Sequence, residues 1–232
     1  IPWWYFHKLP GAVAQAYLGR PVHAVDPDGT IAKHIAVDRV IGSVVYPASE
    51  VIRPGVIQVI EGNRFTLGEI DGSDTPSIRA IADAFKAAGF KAPISSDIRS
   101  EIWLKVWGNM SFNPISALTH ATLEDICVNP GTRELAANMM REAQTIGEKL
   151  GVQFKVSLEK RIAGAQAVGQ HKTSMLQDVE AGRQLELQAL VGAVIEMGQI
   201  TDTPTPNINA VYALTSLLAK TLAQHKASLR IV

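Results

Sequence analysis

WLKVWGNMSFNP, residues 103–114, decides how the larger part of this chain is read. Lys105, Asn109 and Asn113 stand four residues apart. On an α-helix such residues share one face, drifting by roughly 40° per step. They make one polar stripe over about three turns. Ile102, Val106 and Met110 make a separate apolar face, with Trp103 and Trp107 beside it. Pro114 cannot donate to the carbonyl of Met110, so it marks a place for a kink. A lysine and two amides beside tryptophans suit a partly buried polar cleft. Spacing alone favours plainer readings: a solvated stripe, or amides that cap backbone groups at a seam between domains.

Working outward, residues 97–120 read as one long helix, capped by Ser96 or Asp97. Further helices are expected over 130–150, opened by Pro130 and closed by Gly151, and over 156–169, 174–198 and 206–224. No strand signal stands out in this half. SMLQDVEAGRQLE, residues 174–186, forms a second constellation. Ser174 is expected as its N-cap, with Gln177 placed for a capping box. On one continuous helix Asp178 and Glu186 would lie roughly 80° apart and border the same side. Taken alone, Glu186 is an ordinary exposed carboxylate.

The first half reads differently. Residues 1–38 are expected to be loop and short helix, with a helical turn in LPGAVAQAYLG and a turn at DPDG. VIGSVVY, residues 40–46, is rich in β-branched residues and reads as a buried strand of the parallel type. Such a strand needs neighbours on both edges. Residues 51–70 alternate apolar and polar after the Pro54-Gly55 turn. Gly62-Asn63 sits between two strand-like runs, so a strand pair is expected there. Pro76 is placed like a first helical residue, the periodicity of SIRAIADAFKAAGF predicts a helix, and Gly89 stops it. The boundary is placed near residues 93–97, dividing the chain into 1–95 and 96–232.

Composition narrows the function. The 22 basic and 22 acidic residues cancel, which argues against a nucleic-acid or other polyanion binder. The one cysteine, Cys127, excludes an internal disulfide framework, suits a reducing, cytoplasmic setting, and reads as a small buried hydrophobe. No apolar run approaches the length of a membrane span. The histidines lack ligand spacing, so no metal site is expected, and His120 and His171 are given ordinary packing or solvent roles. A small-molecule enzyme fits these bounds.

Together the two constellations resemble the ketopantoate reductase (2-dehydropantoate 2-reductase) family. The pattern is W-x-K-x-x-x-N-x-x-x-N-P over 103–114, then S-M-L-Q-D followed by Glu186, and the likeness runs over essentially the whole chain. The resemblance implies an incomplete α/β Rossmann-type portion followed by an all-α domain of the 6-phosphogluconate dehydrogenase C-terminal type. It implies NADPH as cofactor, a small 2-keto acid as substrate, and a place in pantothenate and coenzyme A biosynthesis. By it Lys105 is the general acid, Asn109 and Asn113 hold the substrate, and Ser174 meets its carboxylate. Glu186 meets the cofactor and orients the lysine, and Ala48 brings backbone near the nicotinamide. The chemistry suits these residues. Hydride addition builds negative charge on oxygen, which an ammonium stabilises, and an amide binds hydroxyl or carboxylate without a competing charge.

The family pattern also has a glycine-rich GxGxxG turn that cradles pyrophosphate. No GxGxxG occurs in these residues. The chain is therefore expected to begin part-way through the Rossmann domain, and to bind NADPH poorly as it stands. Some family members carry asparagine where Leu123 and His171 stand here. Two further readings are kept: a related Rossmann dehydrogenase acting on another 2-keto or 3-hydroxy acid, and a non-catalytic helical dimerisation module. The apolar faces of 97–120 and 174–198 leave a homodimer open under each.

Overall fold

A computed structural model of the chain describes residues 1–229. Two compact units emerge. One comprises Trp4–Pro21 and Thr30–Ile102, the other Ile1–Trp3, Val22–Gly29 and the chain from Trp103 onward. The sequence puts its boundary near 95. The observed division falls after Ile102, and Val22–Gly29 groups with the later residues.

The first unit holds helices α1 (Gly11–Tyr17) and α2 (Thr30–His34), strands β1 (Ile41–Val45), β2 (Ala48–Arg53), β3 (Val56–Glu61) and β4 (Phe65–Glu69), and helix α3 (Pro76–Ala87). β1 pairs antiparallel with β4, Ser43 opposite Leu67. β1 buries Gly42 and Val44 while Ser43 and Val45 stay exposed, so the expected fully buried, parallel-type strand is replaced by a one-sided antiparallel one. β2 and β3 form the hairpin, and they turn at Pro54-Gly55 rather than Gly62-Asn63. Gly55 has φ 77°, as a turn with proline before it requires. Gly62 also takes positive φ, but β3 pairs with β2 and β4 with β1, so no hairpin closes across Gly62-Asn63. α3 begins at Pro76, with the Thr75 hydroxyl accepting from Ile78 N at 3.2 Å. It covers the sheet through Ile78 and Ala82, which pack with Leu67 and Ala92. Arg99 is buried and donates to the carbonyls of Tyr5, His7 and Ile70, with its guanidinium 5.5 Å from the centre of the Trp4 ring. That clip, absent from the sequence reading, ties the aromatic opening residues into this unit.

α4 (Ile98–Thr119) is the long helix expected over 97–120. Of the two candidate caps the structure uses Asp97, whose carboxylate accepts from Ser100 N at 3.0 Å. The second unit adds α5 (Leu123–Val128), α6 (Pro130–Lys149), α7 (Leu158–Ala167), α8 (Ser174–Ala181), α9 (Ala193–Ile200) and α10 (Pro206–His225). α5, missed in the sequence, carries a capping box between Thr122 and Asp125. The helix expected over 174–198 is broken. α8 ends at Gly182, which takes φ 66° while Arg183 N donates to Asp178 O at 2.8 Å. That is a glycine helix stop of the Schellman kind. The chain turns helical again only past Glu186, through a π-helical turn at Gln188–Gly192 that leads into α9. Two carboxylates brace the unit. Glu142 on α6 accepts from Asn207 N and Ile208 N at the start of α10, and Glu196 on α9 accepts from His23 N and Ala24 N. No helix among the described residues is long and apolar enough to cross a membrane.

Candidate functional site

The polar stripe of α4 is held by the tryptophans beside it. Trp103 and Trp107 are fully buried and both meet the Phe154 ring edge-on, at 6.5 and 4.7 Å between centres. Trp107 also donates its indole N–H to Met140 O on α6 at 2.7 Å. They are core anchors and do not line the cavity described next, whereas the sequence reading set them beside a partly buried polar cleft. Their burial fixes the rotation of α4, and Lys105 and Asn109 are left half-buried on another side.

Asn109 and Asn113 open onto a cavity of about 280 Å³, together with Ser174. Asn113 is buried and donates to Ser174 Oγ at 3.4 Å. The helix cap here is Thr173, whose hydroxyl accepts from Leu176 N, rather than Ser174. With Thr173 in that role, the Ser174 hydroxyl is exposed and turned to the cavity. Gln177 makes no capping box and donates instead to Lys172 O. Leu123 and His171 also line the cavity.

Burial holds the Lys105 ammonium below its ordinary pKa, and attraction to Glu186 works against that shift. The two groups thus sense each other within one unit. Glu186 reaches this position from the irregular segment after α8, exposed, and not from mid-helix. The helix break also removes the expected shared side of Asp178 and Glu186. Asp178 instead pairs with Arg183 at 2.7 Å. Ala48 begins β2 in the other unit, opposite Glu61.

The pattern of the ketopantoate reductase PanE/ApbA C-terminal region matches residues 97–219, over half the chain. The chain belongs to the ketopantoate reductase family. It is 54% identical to the 2-dehydropantoate 2-reductase of Mesorhizobium japonicum over 94% of its own length and 66% of that protein's. A provisionally assigned ketopantoate reductase from Ralstonia solanacearum superposes with a TM-score of 0.89 at 39% identity, over 95% of this chain and 66% of that one. The 2-dehydropantoate 2-reductase of Geobacter metallireducens gives 0.74 at 25% identity, over 81% and 64%. The chain thus spans just under two thirds of these ketopantoate reductase relatives.

Within this family frame, the sequence reading missed Arg161 on α7, which also lines the cavity. Its signal was weak: one arginine in a helix of otherwise ordinary amphipathic pattern. Gly108, between Lys105 and Asn109, was the better clue, because a glycine inside a helix lowers helix stability unless something needs its space.

Proposed function

We propose that this chain forms part of an NADPH-dependent reductase that converts ketopantoate to pantoate, in cytoplasmic pantothenate and coenzyme A biosynthesis. Residues 1–95 are read as the later part of an NADP-binding Rossmann domain and 96–232 as the substrate and catalytic domain. The observation that carries the reading is the convergence of Asn109, Asn113 and Ser174 on one cavity, from two helices far apart in sequence.

In this reading Lys105 donates a proton to the substrate's keto oxygen and stabilises charge building there. Its lowered pKa makes that proton easier to give. Asn109, Asn113 and Ser174 hold the rest of the acid through neutral hydrogen-bonding groups. One carboxylate of the helical unit suits a nicotinamide nucleotide. Glu186 exposes a carboxylate able to accept from ribose hydroxyls and lies close enough to Lys105 to bias its proton. The family resemblance alone proposes Ala48 as a backbone position near the nicotinamide. Among the described residues no glycine-rich GxGxxG turn offers a pyrophosphate cradle. When bound, NADPH supplies the hydride that the keto carbon accepts.

The fold alone does not choose the acid. D-mandelate dehydrogenase shares it, with a TM-score of 0.74 at 17% identity. The test is ketopantoate-dependent loss of NADPH absorbance in the full-length reading frame, beside a panel of other 2-keto acids. Preference for ketopantoate supports the reading. Turnover of another keto acid alone keeps the reductase and replaces the substrate.

A further inference from the structure

The substrate cavity carries a charge that the amide-and-hydroxyl reading does not use. Arg161 and His171 line it, and no aspartate or glutamate is among its lining residues. The arginine is given room by a specific vacancy on the facing helix. A methyl group added at Gly108 would lie 2.3 Å from Arg161 Nη2, 3.0 Å from Cζ and 3.3 Å from Nε. The guanidinium therefore packs closely against α4 through Nη2, one residue from Asn109, in a slot that only glycine leaves open.

We propose that this cavity is a carboxylate subsite and that Arg161 is its charged anchor, set in place by Gly108. The chemistry favours this. A guanidinium presents a planar fork that matches a carboxylate, and an amide and a hydroxyl such as Asn113 and Ser174 complete its hydrogen bonds without adding opposing charge. Lys105 does not line the cavity. The keto group and the anchored carboxylate thus have separate cationic partners. The carboxylate comes from one of two sources, the acid group beside the keto carbon or a second acid group at the far end of the substrate. The inference rests on reading this cavity as the substrate site of the proposed reductase.

The experiment is calorimetric binding, which needs no turnover, on the full-length reading frame. The probes are pantoate, its neutral lactone, and the dicarboxylate 2-hydroxyglutarate. The proteins are wild type, Arg161→Gln, Arg161→Lys and Gly108→Ala. Wild type should bind a carboxylate about tenfold to a hundredfold more tightly than Arg161→Gln, as expected for a charged hydrogen bond, while the lactone is indifferent to the change. Arg161→Lys should recover part of the loss. Gly108→Ala should lose affinity without losing thermal stability, since alanine favours the helix and only the guanidinium is displaced. Pantoate as the favoured probe supports subsite and ketopantoate reading together. The dicarboxylate alone favoured keeps the subsite and rejects ketopantoate. Equal carboxylate binding by wild type and Arg161→Gln, or no carboxylate binding by either, overturns the proposal.

Discussion

Two stretches of similar letters meet opposite fates. In α4, Trp103, Trp107 and Met110 are entirely buried. In the β2–β3 hairpin, Val51, Ile57 and Val59 are about two-thirds exposed, at 68%, 64% and 68%. Both stretches are apolar, and both form the element that their sequence favours. The difference is the partner. α4 presents its large side chains at helical spacing to α6 and Phe154, and each ring finds a surface. The hairpin is a two-stranded ribbon with apolar residues on both strands, and no further strand pairs with it among the described residues. Hydrophobicity states what a segment would gain by burial. It does not supply the surface that buries it.

The largest effect should follow from cutting into the buried side of this comparison. Trp107→Ala removes the edge contact with Phe154 and the hydrogen bond to Met140, and should cost about 3–5 kcal/mol in denaturant unfolding. A cost below about 1 kcal/mol would mean that α4 is not anchored there. Next comes the brace at α10. Glu142→Ala leaves the backbone N–H groups of Asn207 and Ile208 without their carboxylate and should cost about 1–3 kcal/mol.

Lys105 sharpens the contrast through pH. Its pKa lies below 10.5 because burial disfavours the ammonium, so between the folded value and 10.5 the unfolded chain holds more protons. Stability contributed at this site therefore rises with pH across that window. Below it the charge-burial cost is fully present. Lys105→Met should match or exceed wild type at neutral pH, and the gap should close toward pH 10.5. If Lys105 is the proposed proton donor, the proposed reductase activity should run the other way, falling as Lys105 loses its proton, and falling at lower pH in Glu186→Gln, where the attraction that raises the lysine's pKa is gone. An unshifted profile in Glu186→Gln would separate the two residues. The smallest effect belongs to the ribbon. Ile57→Ser should change stability by about 0.5 kcal/mol or less, because that side chain has little burial to lose.

Much of the fold was legible where local signals act alone. Pro76, Pro130 and Pro206 each open a helix, and Asp97 caps α4. The failures came where two local signals competed. A-G-R at 181–183 is a helix stop, but apolar periodicity on both sides of it suggested continuation, and the chain turns helical again only after Glu186. Gly62-Asn63 carries the letters of a hairpin, yet Pro54-Gly55 had already closed one, and β4 was taken by β1. The meeting of Asn113 with Ser174 could be anticipated only from resemblance, because nothing in spacing brings residue 113 to 174. Arg161 escaped both routes, since its setting depends on a glycine on another helix.

The central claim is that α4 carries the proton donor of a ketopantoate reductase. The most direct test is ketopantoate-dependent NADPH oxidation by the full-length reading frame, wild type beside Lys105→Ala, with nucleotide affinity measured in parallel. The account predicts turnover in wild type and a fall of about a hundredfold or more in the mutant, with nucleotide binding nearly unchanged. Near-normal turnover in Lys105→Ala would contradict it.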